Sequence, residues 1–247
     1  MSKLEPVTHR RSGLTAGLGH PGVGLWMALP WLDMGRAKKN KPRRRRGSAA
    51  EAPGSAYVCG VQGVVIRQAR RGEGQQVLDL LSTIDTDYDD LDYAAQHIDA
   101  GTYATSGAGL RRALVAEAEG DTGLVGALLA LPPGSLLRRL QAAEAPRSVV
   151  GDVARSIAKL KAVAVAPERR GDRIGEALVR AFVDEYGAAD YDVLYAQVDI
   201  DKPALARWYG RLGFEVLGAG APLRLDPQGQ VAIYPLNGEQ LAVRVLT

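Results

Sequence analysis

The stretch that decides the fold is residues 160–178, which read LKAVAVAPERRGDRIGEAL. Residues 162–166 are a short apolar run with β-branched valines that Pro167 closes, a pattern that predicts a buried strand. Residues 169–175 then form a basic turn with two glycines. From Glu176 onward, apolar residues recur at the spacing of a helix with one buried face. The stretch therefore predicts a strand, a tight turn and a helix in direct succession.

A strand, a glycine turn and a helix together are typical of an anion-binding site. The first N–H groups of a helix have no partner inside it, and the helix dipole adds about half a positive charge at that end. Glycine lets a phosphate approach the backbone, and Arg169, Arg170 and Arg173 supply full charges. The turn has neither a Walker A pattern nor the G-x-G-x-x-G of a dinucleotide fold. Alone, it fits a phosphate site or an ordinary connection with solvated arginines.

The basic charge of the chain is concentrated at its start. Residues 1–50 hold 11 Lys and Arg but only 2 Asp and Glu, so the remainder of the chain is acidic on balance. Eight of the eleven residues in 36–46, RAKKNKPRRRR, are basic. Such a run repels itself and buries no core. We therefore expect residues 1–60 to be a disordered extension and linker, and residues 61–247 to be the folded domain.

The basic run at residues 36–46 leaves two interpretations open. It is either a solvated tail or a site of non-specific, salt-dependent contact with nucleic acid. No aromatic residue interleaves with its arginines, so base stacking is not indicated.

Cysteine and histidine usage exclude several classes of protein. Cys59 is the only cysteine, so no intrachain disulfide forms, and the three histidines are scattered, which gives no zinc pattern. No apolar run reaches the roughly 20 residues of a membrane span. We expect a cytoplasmic protein with no metal and no membrane partner.

Periodicity in the rest of the chain predicts a mixed α/β fold. Expected strands are 64–69, 113–119, 124–131, 192–198, 214–217, 231–234 and 241–246. Expected helices are 74–84, 135–145 with Ser135 as its cap, and 203–211, whereas residues 146–155 are expected to be a connection. The acidic segment 85–97 predicts a solvated helix or loop, or alternatively an acidic wall that favours a cationic acceptor.

Two segments at a fixed distance resemble one known family. They are Val165-x-Pro167-x-x-Arg170-Gly171-x-x-x-Gly175, and Asp201-x-Pro203-Ala204 followed by Tyr209-x-x-x-Gly213-Phe214. Together with the order of strands and helices, they resemble the GNAT superfamily of N-acetyltransferases. The resemblance covers about residues 61–217 and implies a mostly antiparallel central sheet flanked by helices.

The resemblance also implies acetyl-CoA as the co-substrate and a role for particular residues. Tyr209 would protonate the departing CoA thiolate, although a core role is the alternative. Glu117 is a candidate general base, with Asp199, Asp201 and a water chain left open beside it. The implied cofactor contacts are Val163, Ala164 and Val165 along the pantetheine arm, and Arg170, Gly171, Asp172, Arg173, Ile174, Gly175 and Glu176 around the diphosphate.

The sequence departs from the family pattern at two positions. Arg173 stands where the family usually has a glycine, so either a Cβ lies near the diphosphate or the backbone is displaced. Lys202 stands where the family often has asparagine.

The expected function is transfer of an acetyl group to a primary amine by direct attack in a ternary complex. The acceptor would be a small molecule or a protein amine, and a homodimer formed through the C-terminal strands is left open. Two other hypotheses remain: a non-catalytic CoA-binding module, and a nucleic-acid-associated protein that acts through residues 36–46.

Overall fold

The computed structural model describes residues 57–58, 63–84, 88–105, 108–121, 123–226, 229 and 231–246. The predicted extension therefore lies outside the described residues except for Tyr57 and Val58, and so do the basic run and Cys59. In the acidic segment, residues 85–87 also lie outside them.

In the part of the chain that the structure describes, ten strands form the sheets. They are β1 (Tyr57–Val58), β2 (Val64–Gln68), β3 (Arg112–Ala118), β4 (Leu124–Leu131), β5 (Ile157–Val165), β6 (Val193–Asp199), β7 (Glu215–Val216), β8 (Leu223–Arg224), β9 (Ala232–Ile233) and β10 (Glu239–Val245). Eight of them build one sheet in the order β1-β2-β3-β4-β5-β6-β10-β7, while β8 pairs with β9. Every pair in the large sheet is antiparallel except β5 with β6. The predicted fold class is confirmed.

The described residues also form six α-helices. They are α1 (Gly74–Leu81), α2 (Tyr88–Asp99), α3 (Gly134–Ala142), α4 (Arg147–Ser156), α5 (Ile174–Ala188) and α6 (Pro203–Arg211). α5 and α6 pack on one face, and α1 and α2 on the other. Helix α5 follows its sequence pattern, since Ile174, Leu178, Phe182 and Tyr186 are all buried.

Two predictions about the connection to β5 were wrong. Residues 147–156 form helix α4, which buries Val149 and Val153, so they are no simple connection. Ser135 is not a cap, because α3 begins at Gly134 with Pro133 at its N-cap position.

A register shift inside β5 reverses the faces of that strand. The pairing with β4 is irregular between Leu129 and Ala130, which leaves Lys161 as the extra residue. Before it, Leu160 faces the core under α5; after it, Ala164 faces α1 and α2, and Val163 turns towards α5.

The parallel pairing of β5 with β6 ends early. It covers four registers, from Ile157 with Val193 to Leu160 with Ala196. Beyond that point β5 pairs only with β4, and β6 only with β10. The two strands therefore separate at the end where β5 leads into the glycine turn, and we call this opening the wedge.

Close packing of α5 on the sheet holds the turn beside the wedge. A Cβ added to Gly126 on β4 would lie 3.0 Å from Cγ2 of Ile174 and 3.1 Å from Cδ1 of Leu178. These distances are tighter than ordinary contacts, so glycine lets the start of α5 approach the sheet.

Replacing this glycine should loosen the fold. We expect Gly126→Ala to lower the free energy of unfolding by about 1–3 kcal/mol, because the added methyl group overpacks the contact with α5. The control is Gly187→Ala, on α5 with nothing within 4 Å of its added Cβ, which should raise that free energy by about 0.5–1 kcal/mol. Urea denaturation measures both, and equal effects would contradict the packing argument.

Candidate active site

The open edge of β5 carries the peptide groups of two valines. Ala166 N–H donates to the Val125 carbonyl at 2.9 Å, so residue 166 points its peptide groups towards β4. Peptide groups alternate along a strand, which turns Ala164 towards β4 and Val163 and Val165 towards the wedge. The peptide groups of Ala164 are thus occupied by the sheet, whereas an extended amide-containing chain in the wedge could pair with those of the two valines.

The start of α5 presents unbonded amides at the mouth of the wedge. Among the described residues, none accepts a hydrogen bond from the N–H groups of Ile174, Gly175 and Glu176, and no side chain caps the helix. Gly171 precedes them with φ +98° and no atom within 4 Å of an added Cβ. These amides and the positive end of the helix dipole form a cradle for an anion.

Arg173 occupies the turn without displacing it. It has φ 61° and ψ 15°, the left-handed conformation that glycine adopts most easily, and its side chain is exposed. The backbone thus keeps the shape expected of glycine, and the strain falls on the arginine itself.

The three arginines of the turn have different surroundings. Arg169 pairs with Asp121 of the β3–β4 hairpin and, at 2.9 Å, with Asp172, so two carboxylates balance its charge. These contacts raise the pKa of Arg169, chiefly through the hydrogen bond to Asp172. Arg170 is exposed, and its Nε donates to the Val165 carbonyl at 3.4 Å. Arg169 therefore shapes the turn, while Arg170 lies over the open edge of β5.

Tyr209 is buried on α6, close to the wedge. Its ring packs edge-on against Trp208 and Phe214, with centroids 4.9 and 5.4 Å away. Burial raises the pKa of Tyr209 well above its ordinary value. A Cβ added to Gly175 would lie 3.5 Å from Trp208 and 3.6 Å from Val165. The start of α5 thus lies against both α6 and the end of β5; the Trp208 contact was missed from sequence.

Comparison with known proteins identifies this arrangement. Residues 109–216 match the family model described as the acetyltransferase (GNAT) domain. Over these residues the chain is similar to GNAT acetyltransferases, as the sequence motifs predicted. A search of the curated proteins finds none that matches it significantly.

Solved structures with a similar fold have low sequence identity to this chain. One, described as a GNAT-family acetyltransferase from Desulfovibrio desulfuricans, is 17% identical with a TM-score of 0.51 over 74% of this chain and 99% of its own. An acetyltransferase from Streptococcus agalactiae 2603 is 17% identical, with a TM-score of 0.51 over 75% of this chain and 99% of its own. A GNAT-family acetyltransferase from Streptococcus pneumoniae is 15% identical, with a TM-score of 0.50 over 74% of this chain and 99% of its own. At these identities the likeness establishes the fold.

Glu117, the candidate general base, lies in a network of ion pairs that joins β2, β3 and the start of α1. Arg67 pairs with Glu117 and, at 2.6 Å, with Glu73, and Arg70 lies 3.5 Å from Glu117. The hydrogen bond from Arg67 is the main cause that lowers the pKa of Glu117. A carboxylate stabilised in this way is a weak base, and the network ties β3 to the start of α1. Asp199, another candidate, pairs with Lys202 at 2.9 Å.

A second opening lies on the face of the sheet opposite α5. The sequence predicted no site there. This cleft has a volume of about 1100 Å³ and runs between α2, α3, β5, β6 and the residues after β9. Lys159 and Lys161 of β5 and Gln197 of β6 lie along it, next to the wedge. It is therefore placed to hold a second substrate beside a molecule in the wedge.

The described residues contain neither a metal-binding cluster nor a membrane-spanning helix. Within that part of the chain, no group of His, Cys, Asp and Glu could hold a metal ion. None of the helices described has the length and apolar character needed to span a bilayer.

The strain at Arg173 can be measured. We expect Arg173→Gly to raise the free energy of unfolding by up to about 1 kcal/mol, since glycine adopts positive φ without steric cost. Arg170→Gly is the matched control: this exposed arginine has φ −68°, so glycine there should lower stability by about 0.5 kcal/mol through unfolded-chain entropy. Calorimetry of both variants checks the difference, and a loss of stability in both would refute the strain.

Proposed function

We propose that the protein transfers an acetyl group from acetyl-CoA to a primary amine by direct attack within a ternary complex. The observation that supports this most strongly is the wedge itself, where an unpaired strand edge leads directly to unbonded helix amides. An acyl-CoA has both complementary parts, an amide-rich arm and a diphosphate.

Each part of acetyl-CoA has matching groups in this chain. The pantetheine arm would pair with the peptide groups of Val163 and Val165. The diphosphate would accept hydrogen bonds from the amides of Ile174, Gly175 and Glu176, with Arg170 and Arg173 as nearby cations. Arg170 would have to leave the Val165 carbonyl for the arm to bind there. The thioester would then lie where β5 and β6 separate.

The reaction needs proton transfers at two places. The neutral amine attacks the thioester carbonyl, and the departing sulfur must take up a proton as the C–S bond breaks. Tyr209 is our proposed acid, because its raised pKa keeps the phenol protonated through neutral and alkaline pH. Since its ion pair makes Glu117 a weak base, we assign removal of the amine proton to water in the cleft. We place the reaction in the cytoplasm, in keeping with a single cysteine.

The cofactor assignment predicts a dependence on the diphosphate. Acetyl-CoA should raise the melting temperature, and S-acetylpantetheine, which lacks the diphosphate, should bind at least about 100-fold more weakly, because it forfeits several charge-assisted hydrogen bonds. Thermal shift and calorimetry measure this. Equal binding of both compounds would refute the amide cradle, and binding of acetyl-CoA with no thiol release from any amine would indicate a non-catalytic module.

Removing the phenol hydroxyl should affect chemistry and spare binding. We expect Tyr209→Phe to lower kcat at least about 100-fold with acetyl-CoA affinity unchanged. Tyr191→Phe is the control, since that buried hydroxyl accepts from Leu110 N at 2.7 Å and donates to the Ala154 carbonyl; it should lose stability and keep kcat. A fully active Tyr209→Phe would remove the tyrosine from the mechanism.

The raised pKa of Tyr209 also predicts a pH profile. The protonated phenol is the active form, and burial moves its ionisation upward from about 10. The kcat of the unmodified enzyme should therefore not decline between pH 8 and 10. A fall over that range that Tyr209→Phe abolishes would contradict the assignment.

A further inference from the structure

The cleft beside the wedge is lined by charges of one sign. Its charged residues among those described are Arg111, Arg138, Arg139, Lys159 and Lys161, and no Asp or Glu belongs to the described lining. Arg111, Lys159 and Lys161 make further polar interactions within the protein. Arg138 and Arg139 form no ion pair with any described residue, so their positive charge faces the cleft without a carboxylate from that part of the chain.

Two of these arginines lie over aromatic rings that also line the cleft. The Arg111 guanidinium lies 5.7 Å from the centre of the Tyr93 ring, and that of Arg139 lies 5.1 Å from the centre of Tyr234. Arg139 also donates to the Ala232 carbonyl. Stacking of this kind orients a guanidinium and leaves its remaining N–H groups available for a ligand.

A series of hydrogen bonds holds the side chain of Lys159, which lines the cleft. Its Nζ donates to Oε1 of Gln197, whose Nε2 donates to Glu239 at 2.7 Å. Glu239 also accepts from Leu236 N at 3.2 Å, so the series continues into the rim of the cleft. Lys159 is paired with Tyr195 one register before β5 and β6 separate. Lys159 therefore lies one residue before the place proposed for the thioester, and its ammonium group is held by Gln197.

We propose that the acceptor amine carries an anionic group, a carboxylate or a phosphate, which Arg139 and Lys159 recognise in this cleft. This inference rests on the proposed acetyl transfer and names the class of its second substrate. It differs from the cationic acceptor that the acidic segment suggested. Of that acidic stretch and the rest of α2, Asp92 and Asp99 are described with their side chains; neither lines the cleft, and Asp99 accepts from Gly74 N at 2.6 Å.

The first experiment compares each amine that carries an anionic group with a neutral-group partner that lacks it. Phenylalanine is set against phenylalaninamide, and O-phosphoethanolamine against ethanolamine, with spermidine and agmatine as cationic amines. Binding to the full-length protein is measured by calorimetry, and turnover by thiol release from acetyl-CoA. We expect the anionic member of at least one pair to bind, and to be acetylated, at least about tenfold better than its partner. Preference for neutral or cationic amines, or no binding of any anionic amine, would overturn the proposal.

The second experiment uses variants of one arginine. Arg139→Gln should raise KM for the anionic amine at least about tenfold and leave KM for its neutral partner unchanged, while Arg139→Lys should restore most of the loss. The control is Arg155→Gln, an exposed α4 arginine that lies outside the cleft and should leave both values unchanged. Equal changes for charged and neutral amines would refute recognition by Arg139.

These arms separate the two proposals. Failure of acetyl-CoA to bind or release thiol refutes acetyl transfer, whereas the amine binding measured without cofactor tests the charge of the cleft independently. Anionic amines that bind without being acetylated would support the cleft and refute transfer.

Discussion

The end of pairing between β5 and β6 at Leu160 and Ala196 is the constraint on which the site depends. Backbone N–H and C=O groups within a sheet normally find partners in the neighbouring strand. Where the two strands separate, Val163 and Val165 keep their peptide groups directed at an opening. A ligand that offers alternating donors and acceptors can complete the sheet there, so the proposed specificity for an amide-rich arm would follow from backbone geometry.

The opening is useful only because its neighbours are held rigidly around it. Gly126 lets the first turn of α5 lie close to the sheet, and Arg169 ties the turn to the β3–β4 hairpin through Asp121. Gly175 lies against Trp208 of α6 on one side and Val165 of β5 on the other. Strand edge, helix amides and the buried Tyr209 are therefore parts of one packed unit, which is what the proposed two-substrate reaction would require.

Local patterns in the sequence predicted the strand, turn and helix of this unit well. The apolar run before Pro167, the two glycines and the periodicity of α5 are all short-range features, and each corresponds to an element of the structure. Arg173 shows the limit: the sequence left open whether the backbone or the side chain would adapt, because a left-handed arginine depends on the packing around it. Helix α4 was missed for a similar reason, since Gly151 and several valines disfavour a helix that burial of Val149 and Val153 stabilises.

The cleft that we propose for the acceptor could not be predicted, since its residues come together only in the folded sheet. Lys159, Gln197 and Glu239 lie on three separate strands, and Arg139 meets Tyr234 across almost a hundred positions of the chain. Their charges carry no periodic signal, so composition alone pointed to the acidic segment instead.

The irregular register at Lys161 has a consequence for how this strand can evolve. Side chains in a strand alternate with a period of two, so one additional residue exchanges the faces for everything that follows. It allows a single strand to direct lysines into the cleft and a valine-lined edge into the wedge. Insertions or deletions within β5 would disturb both openings at once, whereas point substitutions could change either of them separately.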